Sequence, residues 1–256
     1  MTPKNKAPFL LLFLAALAVC SDAFAQTTPG NPLNIDLADM AQQAVSPARI
    51  STTMTLMFLL TALSLAPAIL VMTTSFTRII VVFGFLRQAL ATQQSPPNQV
   101  LIGLALFLTA AIMLPTYERA NREGLQPYIR GELSAQQSWD RGIEPLREFM
   151  FKQTDAKSLA LFLKIGKLGR PKSPDDVPTT VLIPAYIVSE LRIAFQIGFI
   201  IYIPFLIIDM VVASTLMAMG MMMLPPVFVS LPFKIIMFVL ADGWYLVVES
   251  LVRSFN

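Results

Sequence analysis

Histidine is absent from this chain of 256 residues, cysteine occurs once, and only 14% of the residues are charged. Without histidine the chain cannot build a His-based catalytic triad, a histidine metal site or an HExxH zinc-protease motif. It also contains neither a Walker A nor a GxGxxG motif, so nothing indicates a nucleotide or dinucleotide site. We therefore predict no catalytic residue, no metal and no cofactor, and we do not expect an enzyme.

The few charges are also unevenly distributed. Of the 35 charged residues, 20 lie between Glu118 and Asp176, whereas 55% of the chain is hydrophobic. A soluble domain is nearer a quarter charged, and the uncharged runs at 50–77 and 98–117 reach the roughly 20 residues that a membrane span needs. These features predict a membrane protein with one polar insert. The insert mixes eleven basic with nine acidic residues, which is typical of a solvated surface and not of a nucleic-acid-binding stripe.

Residues 1–25 are typical of a cleaved secretory signal peptide. Two lysines precede an apolar stretch at Phe9–Val19, and the AFA at 23–25 is a small-residue cleavage site. An uncleaved anchor is the alternative, but the apolar stretch is short for a span. The only cysteine, Cys20, lies inside this segment, so the cleaved chain can form no disulfide. The proline-containing polar residues 26–50 are predicted to be a flexible exported arm.

Residues 51–115 are predicted to form an N-terminal helical membrane region. Its first span is Met54–Met72, a second helix follows at Phe76–Leu90, and a further span at Val100–Leu114 is expected to stop at Pro115. The second helix carries Arg78 and Arg87 on opposite faces and is polar enough to be interfacial or buried against protein.

Residues 116–180 form the polar, periplasmic insert. Their apolar positions predict two short amphipathic helices, followed by a loop at Gly169–Pro178. If the N-terminus is outside, the first span runs inward and places Arg78 and Arg87 on the cytoplasmic side. The next span then returns and leaves the insert outside.

Residues 181–256 are predicted to form a C-terminal helical hairpin region. Its first apolar run, Val181–Ala218, would be about 57 Å long as one straight helix, nearly twice the thickness of a bilayer core. The run therefore either bends or extends beyond the membrane plane. Helix-breaking residues are expected at Pro204, Gly220, Pro225 and Pro226.

Five charges stand in this apolar region: Glu190, Arg192, Asp209, Lys234 and Asp242. A charge within a membrane costs at least about 2.5–3.5 kcal/mol, so it usually pairs or lines a wet cavity. Glu190 and Arg192 lie about 200° apart around a helix and cannot pair with each other. Lys234 and Asp242 are about 12 Å apart along a helix axis. We expect partners on other helices or other subunits, and a proton or ion relay is the alternative.

The stretch MAMGMMMLPP at 217–226 holds five of the fourteen methionines. Packing is the ordinary role of methionine. However, three consecutive methionines at 221–223 would cover every face of a helix, and the glycine and prolines beside them favour a loop. Non-helical backbone at membrane depth is tolerated only where it is buried in protein or lines a water-filled path. A gate or pore constriction is therefore the alternative to packing.

Four long segments of the chain are unusual in sequence: PAYIVSELRIAFQIGF at 184–199, GMMMLPP at 220–226, LPFKIIMFVLADGW at 231–244 and TSFTRIIVVFGFLRQALATQQSPPNQVLIGLALFLT at 74–109. These segments resemble the FliP/SctR family of type III secretion export-gate proteins. In order and spacing the resemblance covers most of residues 50–255. The signal peptide and the long insert are similar to the flagellar branch of the family.

The resemblance implies an all-α, membrane-associated fold whose kinked or broken helices stack in a spiral oligomer. Several copies would assemble with FliQ and FliR, together with the larger export-gate proteins of the basal body. The assembly would pass unfolded flagellar proteins across the bacterial inner membrane, with much of the chain at periplasmic level. The methionine loop would close the channel, and the five charges would be buried and would pair between subunits. The residues proposed for the closure are Met219, Met221, Met222 and Met223.

Overall fold

The computed structural model describes residues 47–92, 95–169, 171, 173–221 and 223–255, and for residues 47–53 it describes the backbone alone. The predicted signal peptide and nearly all of the predicted arm lie outside these residues. The described residues form helices and turns and contain no strand, which confirms the all-α fold class.

The first helix, α1, runs over Pro47–Met72 and continues through Pro67. It therefore begins within the segment that the sequence assigns to the arm. The chain divides into two compact units at Leu60, and the described part of the first unit is the first half of α1. From Met54 to Met72 the helix is apolar, and none of its side chains is buried.

A core forms around α2, Phe76–Ala89. Its apolar residues recur at the spacing of one helix face and pack against α3, Asn98–Ala120, and against the long helix α7, Thr179–Ala218. The fully buried members on α2 are Ile79, Val82, Phe83, Leu86 and Ala89. The sequence predicted that this helix is either interfacial or buried against protein, and the structure shows that it is buried against protein.

The stop predicted at Pro115 is wrong. Helix α3 passes through Pro115 to Ala120 and is followed without a break by a π-helical turn, Asn121–Leu125, and by α4, Gln126–Ile129. A proline removes one backbone hydrogen bond, and local adjustment of the helix can satisfy the freed groups in apolar surroundings. The continuous apolar helix is thus 32 residues long.

The polar insert contains two amphipathic helices, as predicted: α5, Ala135–Gln153, and α6, Ala156–Ile165. A capping box starts α5, in which the Ser134 hydroxyl accepts from the Gln137 backbone N–H and the Gln137 side chain accepts from the Ser134 N–H. Arg119 on α3 donates to Glu148 on α5 at 2.6 Å, which holds the pKa of the Glu148 carboxyl below its usual range. The predicted loop contains a short 3-10 turn at Pro174–Asp176.

The C-terminal region consists of α7 and two further helices, α8 over Pro226–Leu240 and α9 over Gly243–Arg253, with a bend of 64° between α8 and α9. The prediction that Pro204 breaks the first apolar run is wrong, because α7 is one helix of 40 residues that contains Pro184 and Pro204. At 1.5 Å per residue it is about 60 Å long, so of the two alternatives the structure favours extension beyond one bilayer core.

The predicted alternation of inward and outward spans also fails at α1. Ile69 and Leu70, near the end of α1, line the same groove as Tyr128 and Trp139 of the insert. Both α1 and α3 therefore end beside the insert. Arg78 lies at this end as well, since it donates to Gln153 of α5. Arg87 lies at the opposite end of α2, where it bonds Asn98, so the two arginines do not share one side.

Candidate functional site

The methionine stretch lies in a break between α7 and α8. The break begins with a Schellman motif: the Gly220 N–H donates to the Met217 carbonyl and the Met221 N–H to the Leu216 carbonyl, both at 3.0 Å. Gly220 has a φ of +76°, a left-handed conformation that favours glycine. Pro225 precedes α8, and Pro226 occupies its first turn. The structure thus puts Gly220 and Pro225 between the helices and Pro226 at the start of the second one.

Methionine side chains in this break are partly or almost wholly exposed in the single chain. Met223 is 98% exposed, Met219 is 60% exposed and Met221 is 43% exposed. Met222 lies outside the described residues. Met217 belongs to α7, as the sequence predicts. Apolar side chains that a single copy leaves uncovered are available for contact with another molecule.

An ion pair between Asp209 and Lys234 joins α7 to α8 near the break. The Nζ of Lys234 lies 2.6 Å from Oδ2 of Asp209 and 3.1 Å from the carbonyl oxygen of Ala89. Ser230 donates to the other oxygen of Asp209 at 2.5 Å. Lys234 is only 2% exposed. Asp209 stands nine residues before Ala218, so the pair fastens the two helices about 13 Å from the break.

Glu190 is held by a second buried pair far from the break. Its carboxylate accepts two hydrogen bonds from the guanidinium of Arg78, one of them from Nε at 2.9 Å. Both side chains are completely buried. The pair fastens α7 to the first turn of α2 at the end of the molecule that carries the insert.

The remaining two charges are not buried. Arg192 is about half exposed and lies 2.8 Å from Asp155, just before α6. Asp242 is exposed at the start of α9, where its φ is +50°. The prediction that all five charges are buried is therefore corrected for these two, and Asp209, whose side chain is 25% exposed, is only partly buried.

The expectation of inter-subunit pairing needs the same correction for four of the five charges. Glu190, Arg192, Asp209 and Lys234 each find a partner within the chain, on a helix or turn distant in sequence. The sequence left open whether the partners lie on other helices or on other subunits, and these four charges pair with other segments of the same chain. Asp242 makes no ion pair with any described residue, so for it the inter-subunit prediction stands as a prediction.

Sequence reasoning missed three partners: Arg78 for Glu190, Asp155 for Arg192, and Ser230 for Asp209. Arg78 carried a usable signal. It stands in an apolar segment with no carboxylate nearby, so it needs an acidic partner from elsewhere, and Glu190 stands alone in the same way. The Ser230 hydroxyl gave no such signal, because serine is common in apolar helices as a donor to its own backbone.

The fold and this site define a class, a helical membrane protein. Within the part of the chain that the structure describes, three helices are long and apolar enough to cross a membrane, and a fourth is added if α8 and α9 count as one bent span. The sequence model of the FliP family matches residues 59–251. The flagellar biosynthetic protein FliP of Bacillus subtilis is 57% identical over 209 residues, covering 82% of this chain and 95% of that protein.

Two other relatives cover nearly the whole chain. The flagellar biosynthetic protein FliP of Caulobacter vibrioides is 48% identical over 250 residues, 96% of this chain and 90% of its own length. That of Borreliella burgdorferi is 43% identical over 250 residues, 96% of this chain and 97% of its own length. The chain belongs to the FliP family of flagellar biosynthetic proteins.

Proposed function

We propose that this chain is a non-enzymatic, pore-forming subunit of the flagellar type III protein export gate. Several copies assemble with FliQ and FliR, beside the larger export-gate proteins of the basal body, in the bacterial inner membrane. The assembly passes unfolded flagellar proteins outward, and much of it lies at periplasmic level. The methionine loop seals the channel when no substrate is present.

The observation that carries the proposal is the exposed methionine break at the end of a 40-residue apolar helix. Met223, at 98% exposed, contacts almost nothing in its own chain. Thioether side chains are unbranched and polarizable, so they can pack against one another or against many different sequences without binding one tightly. A seal around unfolded chains of varied sequence needs this adaptability.

The hairpin that carries the loop is fixed at both ends, as a gate requires. The Asp209–Lys234 pair holds its two arms together near the loop. At the other end, Arg147 on α5 bonds the Thr179 hydroxyl and donates to the Val177 carbonyl at 2.7 Å, which attaches the start of α7 to the insert. These contacts hold the arm α7 at its start and near the loop, while the loop itself carries the exposed methionines.

Replacing Met221, Met222 and Met223 with alanine tests the seal. We expect the resting channel to leak ions or small molecules, because alanine lacks the reach to close a gap between subunits. The measurement is the permeability of membrane vesicles or cells that hold the assembled complex. The matched control replaces Met210 and Met217, two exposed methionines within α7, and should leave permeability unchanged. An intact complex of the triple variant with normal permeability would count against the seal.

Co-expression with FliQ and FliR tests the assembly independently of the seal. We expect a stable hetero-oligomer that holds several copies of this chain. A stable monomer that moves a small solute in liposomes would instead support a transporter acting alone.

The geometry does not favour such a transporter with Glu190, Asp209 and Lys234 as its ion path. Glu190 and Asp209 are 19 residues apart on the continuous helix α7, about 28 Å along its axis. Each already has a basic partner within the chain. One relay site would need these groups within hydrogen-bond reach of each other or of a shared water path.

A further inference from the structure

We propose that Ser254 and Phe255 form a C-terminal clasp that closes the fold by completing the burial of Arg78. The clasp contacts Arg78 on α2 and Gln153 at the end of α5. It links the last residues of the C-terminal region to the polar insert and to the start of α2. The proposal concerns the folding of one chain and does not depend on the export-gate function.

The hydrogen bonds of Arg78 carry the argument. A guanidinium has five N–H donors, and the five described bonds account for all of them. Nε and one Nη2 hydrogen go to Glu190, and the second Nη2 hydrogen goes to Gln153 at 3.0 Å. Both Nη1 hydrogens go to Ser254, at 2.8 Å to its carbonyl oxygen and 2.9 Å to its hydroxyl. The C-terminal turn thus supplies two of the five acceptors.

The ring of Phe255 packs against the guanidinium group of Arg78. The guanidinium carbon of Arg78 lies 3.8 Å from the centre of the Phe255 ring, within the range of a cation–π contact. The ring also stacks on Phe149 of α5 with centroids 6.3 Å apart, and the Phe255 carbonyl accepts from the Gln153 side chain at 3.1 Å. The clasp therefore touches α5 through two contacts that do not involve Arg78.

Arg78 is completely buried, so unmet donors there would be costly. A buried donor that loses its partner bears the full cost of desolvation, and a cation bears more than a neutral group. Without the C-terminal turn, Arg78 would keep Glu190 and Gln153 but leave two donors and one ring face open. The contacts of Ser254 and Phe255 therefore complete the polar core around Arg78.

Amide hydrogen exchange of the full-length protein in detergent tests the clasp. The reporter is the last turn of α5, residues 150–153, which lies about a hundred positions from the altered residues in sequence. We expect Phe255→Ala, and more strongly a stop after Arg253, to speed exchange in this turn on the order of tenfold, because the turn loses its packing and hydrogen-bond partners. Ser254→Ala keeps the carbonyl acceptor and should have a smaller effect, about threefold.

Arg253→Ala is the matched control. Arg253 is adjacent in sequence but exposed, and it pairs with Glu249 of its own helix, so exchange in α5 should not change. If the chain that stops after Arg253 does not fold, Phe255→Ala and Ser254→Ala still test the clasp. Faster exchange confined to α9, with α5 unchanged, would show simple fraying of the C-terminus and overturn the proposal. Equal acceleration in every helix of Ser254→Ala would also contradict a local clasp.

Discussion

At the scale of single residues, four of the five charges of the apolar region are paired within the chain. Lys234 is almost wholly buried and donates to the Asp209 carboxylate and to the Ala89 carbonyl, while Ser230 donates to the other oxygen of Asp209. Arg78 and Glu190 are buried to the same degree. Such pairs contribute little net stability compared with apolar residues of the same size, but removal of one member leaves a buried charge.

Asp209→Ala should therefore destabilise the protein by about 3 kcal/mol, near the low end for a broken buried pair because Asp209 is partly exposed. The free energy of unfolding in mixed detergent micelles measures this loss. The double variant Asp209→Leu with Lys234→Met should recover most of it, since no charge is left unpaired. Asp242→Asn, at an exposed position, should change stability by no more than about 0.5 kcal/mol, because asparagine tolerates the left-handed conformation of this residue as aspartate does.

The same variants separate a structural role from a relay. If the pair only fastens α7 to α8, the double variant should assemble and export normally. A double variant with normal complex yield and lost export would support the proton or ion relay instead.

At the scale of elements, close backbone contact fixes the insert on the end of α3. Gly124, in the π-helical turn, faces Gly142 of α5, and a Cβ added to Gly124 would lie 2.7 Å from the Gly142 Cα and 2.9 Å from the Ser138 carbonyl oxygen. Ser138 also donates to the Gly124 carbonyl at 3.1 Å. The two segments can approach this closely only because Gly124 lacks a side chain, since a Cβ added to Gly142 would meet nothing closer than 3.8 Å.

Gly124→Ala should cost about 1–3 kcal/mol, because the atoms it meets belong to backbone and cannot rotate away. Gly103→Ala is the control: it lies in the same helical run with nothing within 4 Å of the added Cβ, and helix propensity should make it neutral or slightly stabilising. Thermal unfolding of both variants compares the two positions. Equal melting temperatures would contradict the close contact.

At the scale of the whole molecule, one copy leaves much of its apolar surface uncovered. Every described side chain of α1 is at least partly exposed, and large apolar residues on α7 and α8 are exposed as well. Surfaces of this extent are covered by lipid or by other subunits in a stable protein. In either surrounding a charge would be unfavourable.

Leu63→Arg in α1 should therefore reduce stable integration of the chain into membranes, at a cost of about 2.5–3.5 kcal/mol. Resistance to alkaline extraction, followed by the yield of assembled complex, is the measurement. Leu161→Arg is the matched control, because Leu161 is also an exposed leucine but lies on α6 of the polar insert. Equal tolerance of arginine at both positions would argue that α1 stays in water.

The sequence by itself determined the helical class, the membrane character, the break at the methionines and the two amphipathic helices of the insert. These features depend on composition and on spacing within one segment, which local physics decides. Only the tertiary structure decided which charges pair, that α7 passes through Pro204 unbroken, and that α1 and α3 both end beside the insert. Arg78 and Glu190 are 112 positions apart, so their contact depends on how α2 and α7 pack, and no local pattern contains that information.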